Sequence, residues 1–149
     1  MILGLDPGSR KTGWVFTDMD GVLLCSGIWQ GSSEGLASII GRKQWASLRG
    51  HVMEGSPDRL EKGKAAIVVL GKGTTSHSFM DFLQREGITP IHLVDESFTT
   101  LEARNLYWKI HKPGLLRRIF PFLRGFVPRD LDDLAAWVLV QRYLGYVDQ

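Results

Sequence analysis

The first thirty residues constrain the fold most. ILGLD is a short apolar run closed by Asp6. PGSRKTG interrupts it, and WVFTD resumes with strand composition. DMDG follows as a turn, in which Asp20-Gly21 is a two-residue hairpin signal, and VLLCSGIWQ reads as the returning strand. Strand–turn–strand–turn–strand is an antiparallel meander. It excludes the strand–helix–strand opening of a dinucleotide-binding unit.

The remainder alternates helix and strand. Ser32 or Ser33 caps a helix from near Glu34, with Leu36, Ile39 and Ile40 on its apolar side and Gly41 weakening its end. Residues 43–54 read as helix or irregular chain, and 55–58 as a turn. Residues 65–70 form a continuous apolar run that suits a buried parallel strand. Thr74, Thr75 or Ser76 starts a helix bearing Phe79, Phe82 and Leu83, ended by Gly87. Residues 90–94 are a second short buried strand. Thr99 or Thr100 opens a helix to about 111, stopped by Lys112-Pro113-Gly114, and 131–143 is a final helix with no clear period in 115–128 before it. The expected fold is one α/β domain over 1–149. Its mixed sheet has five strands, three antiparallel then two parallel, with helices on both faces.

With 44% apolar residues, five Trp and seven Phe, the chain can bury a core without a disulfide or structural metal. The single cysteine, Cys25, lies in an apolar run and fits a reducing cytoplasm. MILGLDPG lacks the basic leader of a signal peptide, and no run approaches the ~18 apolar residues of a membrane span. The net charge of +2 says little about partners. From Lys109 to Arg129, however, six Lys or Arg occur with no acid, and Arg117, Arg118, Arg124 and Arg129 alternate with Phe120, Phe122 and Phe126. Such a stretch suits a phosphate backbone with bases stacked on the rings. A solvated loop beside a helix is the alternative.

The acids fall at telling places. Asp6 ends the first strand, Asp95 and Glu96 end a later one, and Asp130, Asp132 and Asp133 open the last helix. Ligand sites in α/β sheets gather at the carboxyl ends of parallel strands. Carboxylates converging there need a cation, and an oxygen-only set suits Mg²⁺ or Mn²⁺. Asp6 alone reads equally as a turn former, and Asp130 and Asp133 read as caps or solvated groups. Asp132 differs, because it shares a helical side with Ala135, Ala136 and Leu139. Only one of Asp95 and Glu96 can point the same way along a strand, and pattern does not choose between them.

Two glycine-bearing turns are candidate phosphate contacts. Gly8, Ser9, Arg10 and Lys11 have the spacing of an anion-binding nest, with an ordinary hairpin loop as the alternative. Gly71-Lys72-Gly73-Thr74-Thr75 resembles half of a P-loop but lacks the first glycine at the right distance, so it reads as a strand–helix turn whose N–H groups and Lys72 are available to a phosphate. Histidines 51, 77, 92 and 111 lack metal-ligand spacing, and only His77 is placed near the expected site.

Three segments together resemble the YqgF/RuvX family of pre-16S ribosomal RNA nucleases, relatives of the RuvC junction resolvases. GLDPGSRKTGWVF is similar to the family's GxDxGxxxxG and closer still to the resolvases' DPGSxxTG. VDESFTTLEA resembles VDERxTTxEA, and DLDDLAAWVLVQRYL resembles IDSxAAxxxLQxYL. The resemblance spans residues 3–144 and implies a ribonuclease-H-like fold. It places the family's metal-binding acids on Asp6, Glu96 and Asp132, with Asp133 at a serine position and Thr99-Thr100 at the threonine pair. Ser97 stands where the family has arginine, and the GLPxxxxG[ST] loop is shortened to Leu70-Gly71-Lys72-Gly73-Thr74.

The implied activity is phosphodiester hydrolysis with Mg²⁺ or Mn²⁺ held by Asp6, Glu96 and Asp132. Gly8, Ser9, Arg10, Lys11, Lys72, Arg117, Arg118 and Arg124 would bind substrate. The expected partner is RNA, in 5′-end processing of pre-16S rRNA in the cytoplasm. Two alternatives stand beside it. One is a junction resolvase or single-stranded DNA nuclease, for which a homodimer acting on branched DNA is expected. The other is a nucleic-acid-binding ribosome-assembly protein without catalysis.

Overall fold

A computed structural model describes residues 1–60 and 65–146. The strands are β1 (Ile2–Pro7), β2 (Thr12–Thr17), β3 (Leu23–Trp29), β4 (Val52–Gly55), β5 (Ile67–Gly71) and β6 (Ile91–Val94). The helices are α1 (Ser33–Gly41), α2 (Ser76–Arg85), α3 (Thr99–Ile110), α4 (Leu115–Ile119) and α5 (Asp132–Tyr143). The sheet order is β4-β3-β2-β1-β5-β6. β1, β2 and β3 pair antiparallel, β5 runs parallel to β1, and β6 runs parallel to β5. The fold is a mixed α/β arrangement with helices flanking a mixed sheet.

One strand exceeds the five expected. β4 lies antiparallel on the outer edge of β3, within the stretch read as helix or irregular chain. Four residues are too few for alternation to register, and a 3₁₀ turn, Trp45–His51, precedes them. The β2–β3 connection also differs. Asp18 N–H bonds to Val22 O, so the loop spans residues 19–21, with Gly21 at φ +83°. The Asp18 carboxylate organises this loop by accepting the N–H groups of Asp20 and Val22, each at 2.9 Å.

Strand alternation divides the core. Leu3, Leu5, Trp14, Phe16 and Cys25 point to one face, where they pack with Leu36 and Ile40 of α1 and Phe79 and Leu83 of α2. Ile2, Val15, Val69 and Val94 point to the other, against Ala136, Leu139 and Val140 of α5. α3 packs outside α5 through Ala103, Leu106, Leu134 and Val138. Cys25 is buried, and burial pushes its thiol up to about 12 against the pull of Arg59, so it is a core residue.

The start of α5 is anchored by a charged network. Asp133 is fully buried and not a solvated cap. Ser26 Oγ donates to its Oδ2 at 2.7 Å, and Arg129 Nη1 donates to its Oδ1 at 2.8 Å. Arg129 Nη2 also reaches Glu54 Oε1 at 2.8 Å, and His111 Nε2 lies 2.6 Å from the same oxygen. Burial opposes ionisation of Glu54, but the bonds from His111 and Arg129 outweigh it and hold that carboxyl below its ordinary range. The network ties β3, β4, α3 and α5 together. Removing one member of a buried pair strands the other charge. Asp133→Ala is therefore expected to cost roughly 3–5 kcal/mol in urea unfolding, against a near-neutral change for an exposed alanine substitution elsewhere.

Candidate active site

The site is assembled by parity along the strands. Asp6 follows Ile2 and Gly4 at intervals of two, so its carboxylate takes the α5 face. Glu96 follows Val94 by the same interval, just beyond the end of β6, and takes that face too. Asp95 turns away: its Oδ1 accepts Ser97 N at 2.8 Å and Ser97 Oγ at 2.7 Å, bonds that hold its carboxyl below the usual range. The choice that pattern left open between Asp95 and Glu96 is thus made for Glu96.

Asp132 reaches the same place because glycine lets α5 approach. Asp6 is registered opposite Gly13. A Cβ on Gly13 would lie 1.9 Å from the Asp132 carbonyl oxygen, and one on Gly4 would lie 2.6 Å from the Ala136 carbonyl oxygen. The helix backbone rests directly on these two strands. Glycine makes room for Glu96 as well. A Cβ on Gly71 would lie 2.9 Å from Glu96 Oε2 and 3.5 Å from Asp6 Oδ1, and one on Gly73 would lie 2.9 Å from Glu96 Oε1. The half P-loop is therefore clearance for a carboxylate. Two of its N–H groups are already spent, Lys72 N on Val94 O and Gly73 N on Gly71 O.

A cleft of about 100 Å³ lies over the acids, lined by Asp6, Thr100, Leu131, Asp132 and Ala135. Burial, then repulsion from Glu96 and Asp132, pushes the Asp6 carboxyl up to about 7. The cluster is short of positive charge. Among the described residues no group of three His, Cys, Asp or Glu side chains is assembled as a ready cage for an ion. Asp132 is instead engaged by Lys11, whose Nζ lies 3.1 Å from its Oδ2 and 2.7 Å from Asp130 Oδ2. The donor set, all carboxylate and crowded on a partly buried Asp6, fits a hard divalent cation.

The expected substrate contacts divide. Lys11 is at the cleft, in ion pairs. Gly8, Ser9 and Arg10 are exposed in the β1–β2 turn, where Gly8 N–H is used by the Lys11 carbonyl at 2.9 Å, so this is a closed hairpin and not an open nest. Lys72 is exposed beside the Glu96 turn, where its charge is felt by Asp95. Arg117, Arg118 and Arg124 do not line the cleft. Arg117 lies over the Trp108 ring at 4.9 Å, Arg124 Nε donates to Arg117 O at 3.2 Å, and Arg118 is exposed. His77 is exposed in the first turn of α2.

Sequence reasoning missed Arg142. It is buried in α5 and braces the turn that carries Glu96: Nη1 donates to Asp95 O at 2.7 Å, and Nη2 bonds Ser97 O and, at 3.0 Å, Glu102 Oε2. Its signal was a cation three residues after Leu139, on the apolar side of α5. Thr99 Oγ1 adds a bond to Glu96 O at 2.9 Å, so this threonine supports the turn and does not cap α3. The chain matches no protein-family model and shows no significant match to a curated protein.

Two outcomes follow from this geometry. The folded Asp6 carboxyl binds a proton more tightly than its unfolded value of 3.8 allows, so its contribution to metal-free stability is expected to fall as pH rises from about 4 to about 7. In EDTA at pH 7.5, Asp6→Asn should melt higher than the parent, with the gap closing toward pH 4, and added Mg²⁺ or Mn²⁺ should raise the melting point of the parent only. Gly13→Ala should cost roughly 1–3 kcal/mol by overpacking against α5. Gly50→Ala, with nothing within 4 Å of the added carbon, should shift unfolding by less than about 0.5 kcal/mol.

Proposed function

We propose that the chain is a divalent-metal-dependent phosphodiester hydrolase of the YqgF/RuvX type with a ribonuclease-H-like fold. The observation that carries the reading is the convergence of Glu96 and Asp132 on a partly buried Asp6 whose carboxyl is pushed up to about 7. The three come from β1, the end of β6 and the start of α5, distant in sequence and adjacent at one sheet edge. The family resemblance assigns metal binding to the same three residues.

Asp6, Glu96 and Asp132 would hold Mg²⁺ or Mn²⁺, which would supply a neutralising charge and an activated water for in-line attack on phosphorus. Glu96 is positioned by Arg142, Thr99 and the clearance at Gly71 and Gly73. Lys11 is tied to Asp130 as well as Asp132, which keeps its ammonium at the mouth of the cleft where a phosphate oxygen would arrive. Arg10 and Lys72, both exposed on turns beside the cleft, extend that positive rim. RNA is the proposed substrate, as the 5′ end of pre-16S rRNA in the cytoplasm. Among the described residues no helix is long and apolar enough to cross a membrane.

A cleavage panel of RNA, linear DNA and a four-way DNA junction, each with Mg²⁺ or Mn²⁺, tests this reading. The parent is expected to cut RNA, EDTA to abolish cutting, and Asp6→Ala to reduce the rate on the order of 10³-fold or more. Preferential symmetric cutting of the junction by a dimer would move the substrate to branched DNA, as the DPGS wording of the first turn favours. No cleavage of any substrate by the parent would overturn the hydrolase reading.

A further inference from the structure

α3 leads away from the cleft toward the basic segment. Thr100, which lines the cleft with Asp6, is followed at intervals of four by Arg104 and Trp108, on one side of the helix over about 12 Å of its axis. The chain after α3 folds back along this side. Trp108 Nε1 donates to Arg124 O at 2.7 Å, and the Arg117 guanidinium covers the Trp108 ring. Between helix and returning chain lies an open groove of about 670 Å³, bordered by Arg104, Trp108, Lys109, Phe122 and Arg124. Phe122 is 71% exposed. Three cations and two aromatic rings border the groove, no carboxylate lines it, and the sequence from Lys109 to Arg129 carries no acid.

We propose that this groove is a subsite for single-stranded nucleic acid, continuing the substrate path beyond the acidic cleft. The placement rests on the hydrolase reading of that cleft. Arg104, Lys109 and Arg124 would follow the phosphate backbone, and Phe122 would offer its face to one unstacked base. The charge pattern selects a polyanion, since an apolar partner would strand three cations without counter-charge. The exposed ring selects a single strand, because bases inside a duplex have no free face to stack on it. Arg104 acquires a role here that its position in the sequence did not suggest.

The test is fluorescence anisotropy of the full chain in EDTA, with a labelled uridine or thymidine dodecamer and a matching duplex. The parent is expected to bind the single strand at least ten-fold more tightly than the duplex. Phe122→Ala should weaken single-strand binding about ten-fold and Phe122→Tyr should restore it, with unchanged circular dichroism in both. Lys109→Gln should lower the slope of log K against log salt by about 0.7. Equal binding by Phe122→Ala and the parent would overturn the proposal. So would an absence of single-strand preference, or oligonucleotide affinity replaced by binding to anionic vesicles or by self-association in sedimentation. Asp6→Ala separates the two readings: if it abolishes cleavage while Phe122→Ala leaves binding untouched, the groove falls and the hydrolase stands. If the binding pattern holds but the parent cuts nothing, the groove stands and the hydrolase falls.

Discussion

At Gly4 and Gly13 the backbone of α5 rests directly on β1 and β2, and the site depends on that contact. Gly4 and Gly13 leave the space. Any side chain there would strike the carbonyls of Ala136 or Asp132. Because Gly13 is registered opposite Asp6, the contact that seats the helix also delivers Asp132 to Asp6. Packing and chemistry use the same atoms, so the acidic cluster cannot be loosened without lifting the helix.

Such a cluster works against folding, and the surroundings offset it. Three carboxylates crowd one partly buried position, with Lys11 the nearby cation drawn onto Asp132. Around them ion pairs hold the scaffold. Arg129 bridges Asp133 and Glu54 below the helix start, and Arg142 clasps the turn that presents Glu96. These paired supports recover at the edges some of the stability lost at the crowded centre.

Much of this was legible beforehand. The meander, the two buried parallel strands and the final helix follow from apolar runs punctuated by Gly, Pro and Asp, a local signal. Asp132 stood out because a carboxylate on an apolar helical side has no local explanation. Other features were hidden for definite reasons. β4 is an edge strand of four residues, too short for alternation to show. Asp133 looked like a helix-start acid, and only the arrival of Ser26 and Arg129 from elsewhere marks it as buried. The glycines of the Lys72 turn looked like a phosphate cradle, and their neighbour proves to be Glu96.

By itself the sequence determined where most of the strands and helices lie, which acids sit at their ends, and that one segment concentrates Arg and Phe. These are properties of composition and spacing along the chain. The tertiary structure alone decided that Glu96 and not Asp95 turns inward, that Lys11 guards Asp132, and that Arg142 braces the turn. It also set the Arg and Phe segment against α3 beside a groove and away from the acids. Each of these depends on which face of the sheet a residue meets and what packs there, and contacts between residues far apart in the chain leave no periodic trace in sequence. Asp6 bears both signatures, a strand-end aspartate by sequence and the crowded centre of an acidic site by fold.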